Sequence, residues 1–352
     1  MMIFGLLLYV LVFLASLTGG FPDAEKKMTA LFDGSEQVLG VMEPGEVPEP
    51  EPIQAVDTIQ SDSVQILPIQ SENLMATPTE ETARDLTLPN ETEAGITAKS
   101  FIAYDLTDDE PIYEKEADLQ LPIASITKLM SMLTILDLKP DWEAYHKMTA
   151  EDKREGGKIY LFPGENVKVK DLFNASLVGS DNVAVIAMIH SLNLTEEQFV
   201  TKMNTKALSI GLKDTHFKDA TGLSKENVST ARDIVRFAEL ALKEEMIRKT
   251  ILIKKLEFDT LEKRKKIIPS TDRLLASSTL KDIEFLGGKT GYNGEAGYCF
   301  VGNFKNKHGR EIITVVLGSA TMTSRFTETE KIVENAYSNK ETATDLMNDA
   351  SQ

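Results

Sequence analysis

The sequence contains one cysteine, four histidines and 38 basic against 55 acidic residues. The lone cysteine, Cys299, excludes an internal disulfide, and a formal net charge of −17 excludes the basic footprint of a nucleic-acid-binding protein. Successive histidines are at least 26 residues apart, without the short ligand spacing of zinc peptidases, so we expect no metal or other cofactor. A Ser-His-Asp triad stays open at this point, because its members are brought together only by folding.

Most of the negative charge lies in one segment. Between Asp33 and Glu93 there are fourteen acidic residues and one basic residue, a balance of −13. The stretch is rich in Glu, Pro, Thr and Gln, and such a composition cannot bury enough apolar surface to offset chain entropy. We therefore predict a disordered tether over residues 23–95.

The first 22 residues form the longest stretch without charge. From Met1 to Phe21 no side chain is charged, and at ~1.5 Å per residue the segment could span the ~30 Å hydrocarbon core of a membrane. A basic n-region and a good cleavage site are both missing, which favours an uncleaved anchor over a cleaved signal peptide. Lys26 and Lys27 conflict with an outward orientation, since lysines beside a span usually stay in the cytoplasm.

Residues 96–338 are predicted to form one folded domain, followed by a frayed tail over 339–352. Apolar periodicity predicts strands and helices in an order typical of an α+β domain, with helices packed on an antiparallel sheet. The predicted strands are Ser100–Asp105, Pro111–Glu114, Phe285–Val301 and Glu311–Leu317, with a surface hairpin over Lys254–Ile268. One predicted helix begins near Ser125. The others cover Val169–Leu192, Glu196–Leu208, Thr230–Glu244 and Thr327–Tyr337.

A serine and a lysine stand three residues apart at the start of the first helix. Residues at this spacing share one helix face, so the Ser125 hydroxyl and the Lys128 amine are expected side by side. A serine hydroxyl becomes a good nucleophile only when a base removes its proton. A buried lysine can be that base, because burial lowers the pKa of an amine.

Two further motifs follow. Ser180-Asp-Asn182 precedes a strongly apolar helical run, and Lys289-Thr-Gly291 lies in a predicted strand. The order Ser-x-x-Lys, Ser-Asp-Asn, Lys-Thr-Gly is the signature of penicillin-binding proteins and class A β-lactamases. More residues extend the likeness, among them Pro163-Gly-Glu165, Thr221-Gly-Leu223, Ser229-Thr-Ala-Arg-Asp233 and Ala296-Gly-Tyr-Cys299.

From about residue 98 to residue 337 the chain resembles the low-molecular-mass penicillin-binding proteins, the serine-type D-alanyl-D-alanine carboxypeptidases. The resemblance implies an α+β penicillin-binding-protein/β-lactamase-like fold, an antiparallel sheet flanked by helices with a mostly helical subdomain. It implies a catalytic set of Ser125 as nucleophile, Lys128 as base and Ser180 as proton relay to the leaving amine. The implied substrate-binding residues are Asn182, Lys289, Thr290, Gly291, Tyr292 and Arg325, with the backbone N–H groups of Ser125 and Tyr292 as oxyanion hole.

The sequence departs from the family in two places that matter to the site. Asp181 stands where many members have glycine, and Pro269–Leu275 lacks the asparagines usual before the paired leucines. Arg325 matches an arginine that lies near the substrate carboxylate in the resembled family. A surface arginine at the start of a helix would give the same sequence pattern.

The resemblance implies a hydrolase that removes the terminal D-alanine from peptidoglycan stem peptides at the outer face of a bacterial cell membrane, or as a secreted protein. β-Lactams are implied as covalent inhibitors. A D,D-endopeptidase cutting cross-bridges is the first alternative. A β-lactamase has less support, because His216–Ala220 has no Glu-x-x-x-Asn pattern, and the intact serine and lysines argue against an inactive penicillin-binding sensor.

Overall fold

The computed structural model describes residues 95–349, with side chains as far as residue 340. The predicted anchor (1–22) and nearly all of the predicted tether (23–95) lie outside the described residues. Within the part of the chain that is described, no helix is both long and apolar enough to cross a membrane. Anchoring therefore stays a prediction from the sequence.

The centre of the fold is a five-stranded antiparallel sheet. Its order is β2-β1-β11-β10-β9, so the first strands and the last strands of the domain lie side by side. The described residues also contain three two-stranded sheets, β3 with β6, β4 with β5 and β7 with β8. The strands are β1 (Ser100–Asp105), β2 (Glu110–Lys115), β3 (Leu121–Pro122), β4 (Tyr145–Lys147), β5 (Asn166–Lys168), β6 (Val228–Ser229), β7 (Lys255–Asp259), β8 (Lys265–Pro269), β9 (Ile283–Asn293), β10 (Gly297–Asn306) and β11 (Glu311–Ser319).

Eight α-helices and a short 3₁₀ turn, Ala124–Ile126, complete the described part. The predicted α+β class is confirmed, as is the surface hairpin, which is β7–β8. The helices are α1 (Thr127–Asp137), α2 (Val169–Val178), α3 (Asn182–Ser191), α4 (Glu196–Ser209), α5 (Ala231–Lys243), α6 (Glu245–Ile251), α7 (Leu274–Ser277) and α8 (Ser324–Asp349).

Three predicted elements differ from the structure. The segment predicted as one strand over Phe285–Val301 is the hairpin β9–β10, because the Asn293 side chain accepts hydrogen bonds from the N–H groups of Glu295 and Ala296 and turns the chain there. The predicted helix Val169–Leu192 is two helices, since Gly179–Asp181 leave the helical path. The closing helix α8 begins at Ser324 and continues to Asp349, beyond the predicted end at Tyr337. The helix expected near Ser125 is confirmed, since the 3₁₀ turn Ala124–Ile126 leads into α1 at Thr127.

The sheet has a separate apolar cluster on each face. Side chains of a strand alternate between the two faces, and β1 follows this rule: Phe101 and Ala103 pack with α8, whereas Ile102 packs toward the helical subdomain. Helix α8 covers one face, and α5 lies on the other. The larger cluster contains α3, which is buried from Asn182 to Ile189. These layers hold β9 beside the start of α1, where the motif residues meet.

Candidate active site

Ser125 lies in the 3₁₀ turn that leads into α1. The turn is entered through Ala124 with a φ of 46°, a left-handed conformation that is uncommon for a residue with a Cβ. The Lys128 Nζ lies 2.9 Å from the Ser125 Oγ, so the two groups are in hydrogen-bond contact as their spacing predicts. Lys128 is completely buried, which separates its amine from bulk water.

The Lys128 amine has two further contacts. Its Nζ lies 2.7 Å from the Asn182 Oδ1 and 2.7 Å from the Thr221 carbonyl oxygen, both of which only accept hydrogen bonds. A neutral amine has two N–H donors and one lone pair. The donors match the two carbonyl oxygens, and the lone pair then faces the Ser125 hydroxyl, which can donate.

The electrostatics favour the same neutral state. Burial lowers the pKa of Lys128 from 10.5 to about 7, against the opposing effect of the Asp219 and Asp181 carboxylates. The change has the direction expected when an ammonium loses water. Lys128 is thus available as a base near neutral pH.

Ser180 and Asn182 lie at the junction of α2 and α3. Ser180 has a φ of 55°, and Asp181 caps α3 by accepting hydrogen bonds from the N–H groups of Val183 (2.8 Å) and Ala184 (3.2 Å). This is the usual role of an aspartate at a helix N-terminus, and it explains why Asp181 is tolerated in the motif. The Asn182 Nδ2 donates to the Glu155 and Gly156 carbonyls, which leaves its Oδ1 directed at Lys128.

The third motif lies on the edge strand β9. The Lys289 Nζ donates to the Ser180 Oγ and to the Thr290 carbonyl oxygen, at 2.9 Å each. Gly291 allows β9 to lie close to the 3₁₀ turn that contains Ser125. A Cβ at position 291 would lie only 2.8 Å from the Ile123 carbonyl oxygen. The Thr290 Oγ1 contacts the Thr271 Oγ1 at 2.7 Å.

Lys289 is the second buried lysine of the site. Burial holds the pKa of Lys289 well below 10.5, and the positive charges of Lys128 and Arg325 lower it further. Asp272 acts in the opposite direction. The site thus contains two lysines whose amines are both poorly solvated.

Arg325 and Tyr292 border the same strand end. Arg325 is only 6 % exposed, and its Nη1 donates to the Gly291 carbonyl oxygen at 3.0 Å, so it is not a surface arginine. Its guanidinium carbon lies 5.5 Å from the centre of the Tyr298 ring. Tyr292 stacks on Tyr298 with ring centres 4.3 Å apart and is 56 % exposed.

These residues surround one cleft of about 410 Å³. Ser125, Ser180, Asn182, Thr290, Gly291, Tyr292 and Arg325 all line it, and Lys128 and Lys289 lie behind the two serines. Lys158 and Arg325 are the charged side chains among the lining residues that the structure describes, and none of those residues is acidic. The cleft is therefore suited to an anionic substrate.

The sequence assigned no role to several residues that build the site. The Asp219 carboxylate organises the loop beside Ser125, since its oxygens accept from the N–H groups of Thr221, Gly222 and Ser224. A Cβ at Gly222 would overlap the Ala124 carbonyl oxygen, so glycine is required there. The Thr221-Gly-Leu223 motif pointed to this loop, but no pattern indicated that the Thr221 carbonyl would hold Lys128.

Two histidines lie together away from the cleft. The Asp152 Oδ2 is 3.0 Å from the His146 Nε2, and the Asp152 Oδ1 is 2.6 Å from the His190 Nδ1. No histidine lines the cleft among the described residues, so Ser125 has lysine rather than histidine beside it. Over residues 95–349 no group of three or more potential ligand side chains could hold a metal ion.

Comparison with known proteins agrees with this geometry. The family model described as D-alanyl-D-alanine carboxypeptidase matches residues 87–321. A D-alanyl-D-alanine carboxypeptidase of Bacillus subtilis is 34% identical over 251 residues, which cover 70% of this chain and 63% of that protein. The chain thus spans less than two thirds of that relative.

Two further similarities concern the activity and the fold. A D-alanyl-D-alanine endopeptidase of Haemophilus influenzae is 31% identical over 229 residues, covering 64% of this chain and 76% of that protein. The crystal structure of the Streptomyces K15 DD-transpeptidase aligns with a TM-score of 0.64 at 25% identity, covering 69% of this chain and 98% of that one. The α+β arrangement described above is therefore that of the penicillin-binding proteins.

Proposed function

Because the chain belongs to the D-alanyl-D-alanine carboxypeptidase family of serine peptidases, we propose that it removes the terminal D-alanine from peptidoglycan stem peptides through an acyl-enzyme on Ser125. The observation that carries the proposal is the contact of the Lys128 Nζ with the Ser125 Oγ at 2.9 Å, made by an amine that is completely buried. A serine beside a desolvated base is an activated nucleophile.

Acylation begins with proton transfer. Neutral Lys128 takes the proton of the Ser125 hydroxyl as the oxygen attacks the carbonyl carbon of the penultimate D-alanine. The negative charge that develops on the carbonyl oxygen is stabilised by the backbone N–H groups of Ser125 and Tyr292. Removal of one such donor typically costs ~2.7–4 kcal/mol in the transition state.

The leaving group needs a proton and a place for its carboxylate. The C–N bond breaks as Ser180 passes a proton to the departing amine. The proton that Lys128 took from Ser125 replaces the one that Ser180 has lost. Lys289, which donates to the Ser180 Oγ, keeps that hydroxyl oriented. The carboxylate of the terminal D-alanine is bound by Thr290 and Arg325 at the cleft surface, with the charge of Lys289 behind them.

Deacylation uses the same base. With D-alanine gone, a water molecule attacks the ester carbon, and Lys128 accepts its proton before returning it to the Ser125 oxygen. A class A β-lactamase uses a glutamate for its deacylating water. Because no acidic side chain lines the cleft in the described part of the chain, the arrangement supports a peptidase over a β-lactamase. An inactive penicillin-binding sensor would not need a base in contact with Ser125, so the Ser125–Lys128 contact argues against that alternative.

An endopeptidase is the second candidate, favoured by the 76% coverage of the Haemophilus influenzae endopeptidase. The two activities differ in the leaving group, which is free D-alanine for a carboxypeptidase and a cross-linked peptide for an endopeptidase. Incubation with purified muropeptides distinguishes them by mass spectrometry. We expect free D-alanine from pentapeptides, and cleaved cross-bridges without free D-alanine would contradict the carboxypeptidase assignment.

Ser125→Ala supplies the control for this experiment. The variant loses the nucleophile but keeps the cleft and the buried Lys128, so it is expected to release no D-alanine. Release at the wild-type rate would reject Ser125 as the nucleophile. The substrate further implies a place on the outer side of a bacterial membrane, with Met1–Phe21 as the proposed anchor or secretion signal.

A further inference from the structure

Asp272 is a buried carboxyl beside the cleft that the proposed reaction does not use. It lies in the loop between β8 and α7 and is 6 % exposed. Its Oδ1 accepts the Leu274 N–H at 3.0 Å, and its backbone N–H donates to the Ser270 Oγ at 3.1 Å. The Asp272 Oδ2 is buried and has no hydrogen-bond partner among the described residues.

The loop of Asp272 forms the back of the substrate-carboxylate site. Thr271, its neighbour, lines the cleft and contacts the Thr290 Oγ1 at 2.7 Å. The two charged groups that act on Asp272 belong to the elements packed around it, Lys289 on β9 and Arg325 at the start of α8. Arg325 also has a buried Nε without a partner in the described part, so an unpaired acceptor and an unpaired donor lie in the same region.

Lys289 lacks the partner that a buried ammonium needs. Its Nζ contacts only the Ser180 hydroxyl and the Thr290 carbonyl among the described residues, and neither carries a charge. A buried ion without an opposite charge is strongly disfavoured and tends to lose its own charge instead. Arg325 acts on Lys289 as a like charge, as does Lys128 when it is protonated, and Asp272 is the carboxylate that acts against them.

We infer that the Asp272 carboxylate is the counter-ion that keeps the Lys289 ammonium charged, and that Asp272 is thereby a positioning residue for the substrate's terminal carboxylate. The inference rests on the proposed function, since it assigns Lys289 to that carboxylate. Asp272 also lies in the stretch Pro269–Leu275, where the sequence departs from the resembled family by lacking its usual asparagines.

The titration of Asp272 sets the pH range in which its carboxylate can act. Burial raises the pKa of Asp272 to about 7, although Lys289 and Arg325 both lower it. Above about pH 7 Asp272 is mainly a carboxylate, and in that form it opposes the loss of the proton from Lys289. Replacing the carboxylate by a neutral group shifts the charged form of Lys289 to lower pH.

The test is the rate at which a penicillin acylates Asp272→Asn, measured against pH. Asparagine has the same shape and keeps an acceptor for the Leu274 N–H, so the variant is expected to fold. We expect acylation at neutral pH to fall by about tenfold, the scale of one charge-assisted hydrogen bond. The ratio of variant to wild-type rates is expected to rise toward one as the pH falls, because Lys289 then gains its proton without help.

Three controls make the result decisive. Asp272→Ser, a smaller neutral residue, is expected to show the same pH-dependent ratio, and it decides the question if the asparagine variant does not fold. The methyl ester of the same penicillin lacks the carboxylate, so the ratio for it is expected to be near one at every pH. Asp118→Asn removes an exposed carboxylate paired with Arg232 and is expected to acylate like the wild type.

Two outcomes overturn the inference. Asp272→Asn could acylate as fast as the wild type, or it could be slower by a factor that is the same at every pH and for the ester, which would indicate a merely structural role. Failure of the proposed function shows differently. If the wild-type protein reacts with penicillin but releases no D-alanine, the peptidase proposal is rejected. The role of Asp272 is then still decided by the acylation rates of its variants.

Discussion

The Asn182 Oδ1 lies 2.7 Å from the Lys128 Nζ, and this contact joins the second motif of the sequence to the first. The Asn182 amide is fixed from its other end by the Glu155 and Gly156 carbonyls, so its oxygen can only accept from the lysine. Together with the Thr221 carbonyl at 2.7 Å, it takes both donors of a neutral amine. The lone pair of Lys128 is thereby directed at Ser125.

The first prediction concerns the pH dependence of acylation. Burial lowers the pKa of Lys128 to about 7, and the amine acts as a base only when it is neutral, that is, above its pKa. The second-order rate of Ser125 acylation by benzylpenicillin is therefore expected to rise as the pH increases through about 7 and then to level off. A rate that falls over this interval, in which the neutral form of Lys128 increases, would contradict its role as the base.

The second prediction uses two glycines of the cleft as a matched pair. Gly222 and Gly157 have positive φ values of 88° and 74°, so alanine is strained at both. Only at Gly222 would a Cβ overlap the Ala124 carbonyl and lie 2.8 Å from the Ser125 backbone nitrogen, whereas nothing lies within 4 Å at Gly157. Gly222→Ala is expected to lose about 1–3 kcal/mol more stability in urea unfolding than Gly157→Ala, the usual cost of overpacking, and to lose most acylation.

Equal losses of stability and of acylation rate in the two glycine variants would mean that backbone strain, not the close approach of the Gly222 loop to Ser125, governs this wall of the cleft.

The third prediction concerns a buried ion pair that supports the cleft wall. The Lys266 Nζ lies 2.7 Å from the Glu165 carboxylate and donates to the Tyr160 carbonyl at 2.8 Å, and Tyr160 lines the cleft. Lys266→Met leaves Glu165, which is 2 % exposed, with only the longer ion pair to the exposed Arg264 and is expected to cost about 3–5 kcal/mol in urea unfolding. We also expect slower acylation, because Tyr160 loses its anchor.

Arg264 is the control for Lys266. It contacts the same Glu165 at 3.4 Å, but its side chain is 63% exposed. Arg264→Met is expected to cost less than about 1 kcal/mol, as exposed ion pairs contribute little. A loss as large as that of Lys266→Met would show that the total charge near Glu165, rather than burial of the pair, is what stabilises the loop.

The fourth prediction separates the two effects of Asp181. Its side chain caps α3, and its charge raises the pKa of Lys128. Asp181→Asn keeps the cap but removes the charge, so the pKa of Lys128 is expected to fall and the rise of acylation with pH to move to lower pH. Asp181→Ala loses the cap as well and is expected to cost about 1 kcal/mol of folding stability.

Asp171, in the first turn of α2, provides the comparison for Asp181. Asp171→Asn removes a carboxylate from a helix start that does not contact Lys128, so its acylation is expected to follow the wild-type pH dependence. If Asp181→Asn also follows that dependence, the Asp181 charge has no influence on the base.

The contact between Ser125 and Lys128 could be predicted from sequence because residues three apart share a helix face. The three motifs match a family signature, and the roles of their residues are what that resemblance implies. The ends of the helices and strands were harder to predict. The turn at Gly294–Ala296 depends on hydrogen bonds of the Asn293 side chain, and the break at Ser180 depends on a positive φ that a serine rarely adopts.

The electrostatic surroundings could not be predicted because they are assembled from distant segments. The Thr221 carbonyl reaches Lys128 only because Asp219 folds its loop. Asp272 comes to lie near Lys289 through a loop that follows β8, a strand of a different sheet. The sequence alone is equally compatible with a surface position for Arg325, which the start of α8 buries against Gly291.

The most direct test of the Ser125–Lys128 pair is mass spectrometry of the protein after incubation with benzylpenicillin. The wild type is expected to carry one adduct, located by peptide mapping on Ser125, while Ser125→Ala carries none and Lys128→Met is acylated far more slowly. No adduct on the wild type, an adduct on a different residue, or acylation of Lys128→Met at the wild-type rate would contradict the assignment of this pair as nucleophile and base.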